Sequence, residues 1–253
     1  MRILLSNDDG IEADGLKCLE RVARSFSDDV WVVAPERDQS GASHSLSLMN
    51  PVRYRGLEQR KFAVEGTPTD CILLGVRHLI PPPKPDLVLT GINCGGNLGD
   101  DVTYSGTVAG AVEGTLHGIP SIALSQYHTR RDDTKWATAE HHAPNLIRRL
   151  VKEGWAPDVL ININFPNVSE ENVKGVSVTF QGRGGPGSVL DYGVDPRGKP
   201  YVWINSQRAT KRNIGGSDVS AMADGRISLT PLNINLTHLS AHKKLGDLFN
   251  DDV

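Results

Sequence analysis

Cysteine is scarce in this chain. Cys18, Cys71 and Cys94 are three in number and far apart, and no two form a Cys-x-x-Cys pair. The spacing therefore argues against both a disulfide framework and a zinc site. Cys18 and Cys71 lie in apolar helical patterns and read as core thiols, whereas Cys94 falls in a glycine-rich loop with room for a reactive role. Long apolar runs are missing too. None approaches the length of a membrane span, and Asp8 and Asp9 interrupt the apolar start before a signal peptide could form. A soluble protein of the reducing cytoplasm is expected. A net charge of −3 provides no broad attraction for nucleic acid. Several motifs are absent as well. There is no Gly-x-x-x-x-Gly-Lys-Ser/Thr, no Gly-x-Gly-x-x-Gly after the first strand and no Gly-x-Ser-x-Gly. P-loop ATPases, dinucleotide-binding enzymes and α/β-hydrolases are accordingly disfavoured.

What is present is an ordinary globular composition, 38% hydrophobic and 23% charged, in a chain of 253 residues. That length suffices for one large domain or a domain with a subdomain. Through about residue 170 strands and helices alternate. Strands are expected at Ile3–Ser6, Val30–Ala34, Asp86–Thr90, Ser121–Ser125 and Val159–Asn164, with two short ones at Val52–Tyr54 and Phe62–Val64. Helices are expected after Leu16, from Thr67 to Leu79, from Ser105 to Leu116 and around Thr138–Val151. Alternation of this kind gives an α/β fold, a mostly parallel sheet with helices on both faces. After residue 170 the texture turns to strands with little helix, at Val176–Phe180, Tyr201–Asn205 and Arg226–Thr230. The Gly- and Pro-rich Gln181–Pro200 reads as an extended hairpin arm, and Thr237–Phe249 as a terminal helix. The expected division is a core of residues 1–170 and a β-rich C-terminal region of residues 171–253 that exchanges elements between subunits.

The chemistry begins at Asn7-Asp8-Asp9-Gly10, where an apolar strand stops at two adjacent carboxylates and a glycine that permits a turn. Carboxylates at the carboxyl end of a first parallel strand stand where open α/β sheets bind ligands. Packed together they repel unless a cation lies between them or a proton is shared. A solvated Asp-Asp-Gly turn is the plain alternative. Ser40 and Asn93, on neighbouring loops, would add neutral oxygens, although such residues in polar loops are also ordinary turn formers. An all-oxygen set of this kind suits Mg²⁺, Mn²⁺ or Ca²⁺ rather than zinc. Tyr104-Ser105-Gly106-Thr107 caps a small-residue helix, so free N–H groups and the helix dipole would meet an anion there. Capping by Ser105 alone is the competing explanation. A cation site facing an anion site points to phosphoryl chemistry.

Taken in order, these segments resemble the SurE (survival-protein E) nucleotidase family. They are Ile-Leu-Leu-Ser-Asn7-Asp8-Asp9-Gly10, Val-Val-Ala-Pro35 with Gln39-Ser40-Gly41-Ala42, and Gly66-Thr-Pro-Thr-Asp70-Cys71. They continue through Gly91-Ile-Asn93, Asn97-Leu-Gly99-Asp-Asp101 and Tyr104-Ser105-Gly106-Thr107 to Glu113-Gly114, with Asn162-Ile-Asn164-Phe-Pro166 and Thr230-Pro231-Leu232 later. The resemblance implies a Rossmann-like domain and a metal-dependent phosphatase of nucleoside 5′- and 3′-monophosphates, with some action on short polyphosphate. It implies a homodimer or homotetramer joined by C-terminal segment exchange. It carries one divalent cation, Mg²⁺ or Mn²⁺, onto Asp8, Asp9, Ser40 and Asn93, with Asp8, Asp9 and Asn93 catalytic. Asn7, Gly41, Asn97, Ser105, Gly106 and Thr107 would line the phosphate. The family's Asp-Leu-Thr-x-His element departs here to Asn235-Leu236-Thr237-His238-Leu239. His238 then either substitutes for the shifted histidine or merely begins an amphipathic helix. His44 lies near the Ser40 loop, within reach of a leaving group, and Arg53, Arg55, Arg60 and Lys61 form a basic cluster. The nucleophile, water or the Asp8 carboxylate, stays open. The rival functions are a non-catalytic nucleotide sensor using the same pocket and a protein acting through its oligomer contacts.

Overall fold

The structure is a computed structural model and describes residues 1–184, 186–208 and 214–249. A nine-stranded sheet forms its centre. Strand β1 (Arg2–Ser6) is buried from Ile3 onward, as a continuous apolar run in the middle of a parallel sheet must be. Helix α1 (Asp14–Arg24) follows and buries Leu16, Cys18, Leu19, Val22 and Ala23 along one stripe. The chain then passes through β2 (Asp29–Pro35), the hairpin β3 (Tyr54–Glu58) and β4 (Lys61–Val64), and α2 (Pro68–Leu74). It crosses to β5 (Leu87–Cys94), α3 (Gly106–Leu116), β6 (Ser121–Gln126), α4 (Trp136–Glu153) and β7 (Val159–Phe165).

Strands β4, β2, β1, β5, β6 and β7 lie side by side in that order, all parallel. Because β2 lies on one side of β1 and β5 on the other, the topology reverses at β1, and a crevice opens beyond the carboxyl ends of β1 and β5. One face of the sheet packs Ile3, Leu5, Val32 and Leu89 on α1 and α4. The other packs Leu4, Val33 and Val88 with Cys71 and Ile72 of α2. The α/β expectation is met, with helices on both faces.

Helix α3 lies unusually close to the sheet. A Cβ at Gly110 would stand 2.8 Å from Thr90 Cγ2, one at Gly114 would stand 2.4 Å from Ser121 Oγ, and one at Gly106 would stand 2.8 Å from Asp8 Cβ. Glycines at every fourth position therefore form the contact stripe, and this close seating brings the helix N-terminus onto the end of β1.

Several expected boundaries move. The first short strand is Tyr54–Glu58 rather than Val52–Tyr54, because its pairing with β4 starts at Tyr54↔Val64. The fifth strand continues past Thr90 to Cys94. Its register with β6 shifts between Thr90 and Asn93, at Gly91, whose φ is +120° and where a Cβ would stand 2.2 Å from Leu124 O. The strand after residue 170, β8, is only Val176–Val178.

Residues beyond 170 go to two places. Strand β11 (Ile227–Asn233), preceded by α5 (Asp218–Ala223), joins the main sheet antiparallel to β7, and β8 pairs beside it. Strands β9 (Pro186–Val194) and β10 (Pro200–Arg208) form a separate antiparallel pair, so the hairpin expected within Gln181–Pro200 lies further along and takes the expected strand Tyr201–Asn205 as its second half. Gly185, inside that expected arm, lies outside the described residues. Helix α6 (Leu239–Phe249) closes the described chain. His238 precedes it and accepts the Ala241 N–H at Nδ1 (3.1 Å), so it acts as a cap on this helix. No helix among the described residues is long and apolar enough to cross a membrane.

Candidate active site

Four loops meet at the carboxyl ends of β1 and β5, held by hydrogen bonds to the two aspartates. The Gln39 N–H donates to the Asp8 carbonyl (2.8 Å), which fixes the Ser40 loop against the end of β1. The Cys94 N–H donates to Asp9 Oδ2 (3.0 Å), which brings Asn93 beside the same turn. The Thr107 hydroxyl donates to Asp8 Oδ1 from the first turn of α3. Ser43 in turn donates its N–H to Tyr104 O (3.2 Å) and its hydroxyl to Thr103 O (2.8 Å), joining the second loop to the fourth.

Asp8 is 4% exposed. Burial pushes its pKa up to about 6, and the Asp9 charge adds to that rise, against the lowering pull of the Thr107 hydroxyl and backbone N–H. Burial also raises Asp9, opposed by the Cys94 N–H and by Arg131, whose guanidinium lies 3.6 Å from Asp9 Oδ1. Two neighbouring carboxylates, each harder to ionise than usual, form a centre short of positive charge.

The other expected donors fit a cation there. Asn93 donates Nδ2 to Gly95 O (2.8 Å), so its amide oxygen remains for another partner. Ser40 is exposed, and its N–H is taken by Asp38 Oδ1 (2.7 Å). Its hydroxyl has no hydrogen-bond partner among the described residues. Two carboxylates, a hydroxyl and an amide oxygen make a hard, all-oxygen donor set. Among the described residues no group of three or more His, Cys, Asp or Glu side chains is placed to hold a metal. Any cation at this site would therefore depend on neutral oxygens as well as the aspartates.

The expected phosphate residues divide into two groups. Ser105, Gly106 and Thr107 stand at the N-terminus of α3, and Ser105 also caps it, accepting the Val108 N–H (3.0 Å). Capping and an anion-facing helix end are compatible here, because the cap satisfies Val108 rather than the preceding N–H groups. Gly41 sits in the exposed second loop at φ +79°. Asn7 and Asn97 are placed behind the site. Asn7 is wholly buried and braces the turn through Nδ2 to Gly10 O (2.8 Å). Asn97 donates Nδ2 to Ser125 Oγ and its N–H to Asn164 Oδ1, each at 2.9 Å, while its carbonyl accepts from Asn162 and Asn164. Polar side chains from β6 and β7 thus clamp the glycine-rich loop.

Two contributors carry no local sequence signal. Arg131 reaches Asp9 from the loop after β6. Asp218, at the start of α5, accepts from Gly99 N and Gly182 N (2.8 Å each) and pins the same glycine loop. His44 contacts not the aspartates but Glu113 of α3, Nε2 to Oε2 at 2.9 Å. Most of the basic cluster is neutralised, with Arg55 on Glu36, Arg60 on Asp29 and Lys61 on Glu20.

Comparison with known proteins agrees with this architecture. The model of the family described as Survival protein SurE matches residues 3–186. A protein named 5′-nucleotidase SurE from Paramagnetospirillum magneticum is 55% identical over 249 residues, 98% of this chain and 96% of its own length. Its namesake from Brucella abortus is 55% identical over 251 residues, covering 98% and 97%. The crystal structure of the SurE protein from Aquifex aeolicus superposes with a TM-score of 0.85 at 38% identity, covering 98% of this chain and 99% of that one. With paired aspartates after β1, a glycine-striped helix seated on them and likeness along nearly its whole length, this chain belongs to the SurE survival-protein family.

Proposed function

We propose that the protein is a metal-dependent 5′-nucleotidase that hydrolyses nucleoside 5′-monophosphates to nucleoside and phosphate. The observation that carries this reading is the contact between Thr107, in the first turn of α3, and the buried Asp8 carboxylate. It brings an anion-binding helix end and a pair of carboxylates to one point at the switch of the sheet. The names of the relatives, 5′-nucleotidase SurE, support the substrate class.

Asp8, Asp9, Ser40 and Asn93 would hold one divalent cation, Mg²⁺ or Mn²⁺. Such a cation supplies charge neutralisation at a phosphate oxygen and acidifies a water molecule. The Gly106 N–H at the open end of α3 binds a remaining phosphate oxygen and stabilises the charge that develops on it, while the Thr107 N–H is turned to Asp8. Thr107 orients Asp8, and the Cys94 N–H orients Asp9, so neither carboxylate has to reorganise during the reaction. Arg131 offsets charge at Asp9 from the open side. Attack by water on phosphorus is the step this arrangement serves: the new P–O bond forms as the bond to the nucleoside 5′-oxygen breaks, Asp8 or Asp9 takes the water's proton, and that proton passes to the departing 5′-oxygen. Nucleoside 3′-monophosphates and short polyphosphate present the same terminal phosphate and belong to the proposed range. The exposed β9–β10 pair and α6, which displays Leu245, Leu248 and Phe249, support association into a homodimer or homotetramer through the C-terminal region.

The test is phosphate release from nucleoside 5′- and 3′-monophosphates with Mg²⁺, Mn²⁺ or EDTA, for wild type beside Asp8→Asn and Asp9→Asn. Release should require metal and fall on the order of 10³-fold in each variant. Nucleotide binding without release in any metal would favour a sensor instead, and release that survives both substitutions would place the site elsewhere.

A further inference from the structure

Beside the aspartates lies a second cavity that neither the cation site nor the helix end uses. Its volume is about 400 Å³, and its lining includes Glu36, Arg37, Gln39, Ser47, Glu65 and Thr67. Neither the aspartates nor the start of α3 lines it, but it adjoins the site through the chain, since Gln39 precedes Ser40. Ile11 N donates to Pro35 O and Gln39 N to Asp8 O, both at 2.8 Å, so residues 35–39 run along the catalytic turn. On the opposite wall Thr67 precedes Pro68, whose Cγ would stand 3.1 Å from a Cβ on Gly106. The cavity therefore lies along the carboxyl edge of the sheet at β2 and β4, one residue from Ser40 on one wall and one residue from Pro68, the neighbour of Gly106, on the other.

The lining is almost wholly polar. Such a surface suits a sugar, whose hydroxyls need partners, better than a flat apolar base. Glu36 is the first residue after β2, and its N–H donates to Val64 O (2.7 Å), which holds the backbone in place. Its side chain is fixed by Arg55, and both contacts, from Nε and from Nη2, fall on Oε1 at 2.9 Å. Oε2 has no hydrogen-bond partner among the described residues. In dinucleotide-binding α/β folds, an acidic side chain about 20 residues beyond the first strand's turn hydrogen-bonds the ribose 2′-hydroxyl. Glu36 follows β2 in an analogous place, although the glycine fingerprint of those enzymes is missing.

We propose that this cavity is the ribose subsite, and that Glu36 accepts hydrogen bonds from the 2′- and 3′-hydroxyls of the nucleotide whose phosphate sits at the α3 N-terminus. The proposal rests on the nucleotidase reading and sharpens it, making a cis-diol, rather than any phosphomonoester, the preferred cargo. A site built to bond a hydroxyl discriminates strongly against an analogue that lacks it.

The experiment compares AMP with 2′,3′-dideoxy-AMP in wild type, Glu36→Ala and Glu36→Gln, and adds calorimetric binding of adenosine to each protein. Wild type should favour AMP in kcat/KM by about tenfold, the loss expected for charge-assisted hydrogen bonds to hydroxyls. In Glu36→Ala the preference should collapse to about one, chiefly through KM, and adenosine binding should weaken by about the same factor. Glu36→Gln keeps one acceptor and should recover part of both. A wild type indifferent to the diol, or a preference that persists within twofold in Glu36→Ala, overturns the ribose subsite. So does an equal loss on both nucleotides with adenosine binding intact. A wild type that releases no phosphate from either nucleotide overturns the nucleotidase reading instead, and the adenosine comparison then decides the subsite alone.

Discussion

At the turn after β1, Asp8 is 4% exposed and three neighbouring loops donate hydrogen bonds to the Asp8–Asp9 pair. Along the β9–β10 arm, Tyr192, Trp203 and Ile204 are 77%, 69% and 79% exposed, and the two strands bond to each other rather than to the main sheet. The first region places charge where burial opposes it and holds it there with fixed dipoles. The second places apolar surface where water opposes it, with nothing among the described residues to cover it. Each is locally unfavourable, and on the proposed reading each is relieved by something from outside the chain. A cation and a phosphate would do so at the turn, and a second copy of the chain would do so at the arm.

The largest expected effect comes from disturbing the close construction around the turn. Gly91→Ala puts a Cβ 2.2 Å from Leu124 O at a φ of +120°. It should destabilise the protein by about 3 kcal/mol or more, read as a fall in the urea midpoint. A Gly91→Ala variant as stable as wild type would mean that β5 and β6 are not locked together as described.

Next in size is the ionisation of Asp8, whose pKa rises from about 3.8 to about 6. A raised carboxyl pKa means that the folded state favours the protonated form. Stabilisation from this group is thus full below pH 3.8 and is lost as pH rises through 6, about 3 kcal/mol in total. Metal-free protein should lose Tm between about pH 4 and about pH 7 through this group. In Asp8→Asn that fall should shrink. Mg²⁺ or Mn²⁺ should raise Tm more at about pH 7.5 than at about pH 5, because protons compete for the same oxygens. A metal shift equal at the two pH values would remove Asp8 from the cation site.

Thr107→Val is milder. It keeps the shape of the helix start but deletes the hydroxyl that orients Asp8. The expected loss is about tenfold in kcat with KM little changed, since one orienting hydrogen bond is worth on the order of 1–2 kcal/mol. A change confined to KM would move Thr107 from orienting Asp8 to holding substrate.

The smallest effect on catalysis should come from the arm. Trp203→Ser should leave kcat within about twofold and the monomer fold intact, because surface substitutions away from packed features change little. The oligomer observed by light scattering should shift toward smaller species. An unchanged oligomer would remove Trp203 from the contact surface.

Much of the site was legible in the chain because its residues are consecutive or nearly so. Asp8 and Asp9 share one turn, Ser105 to Thr107 share one helix start, and strand–helix alternation puts both at the same edge of a sheet. Asn93 was legible only as a residue in a loop. Its place at the end of a longer β5 depends on the register shift with β6, which no property of residues 87–94 encodes by itself. Arg131 and Asp218 were not legible, since an arginine in a polar loop and an aspartate opening a short helix carry no signature of their own. Asn7 and Asn97 were visible, but not the fact that both stand behind the site as braces.

The sequence by itself determined the α/β class and put paired carboxylates and a capped helix start in single short segments, because periodicity, capping and adjacent charge are local properties. Tertiary structure alone decided the strand order that puts the switch at β1, how deeply Asp8 is buried, which backbone groups hold it, and that β8 and β11 extend the main sheet while β9 and β10 leave it. Those outcomes follow from contacts between segments far apart in the chain, such as Cys94 on Asp9 and Thr107 on Asp8. The strength of such contacts depends on how much water the rest of the fold excludes, and that is a property of the packed molecule rather than of any stretch of its chain.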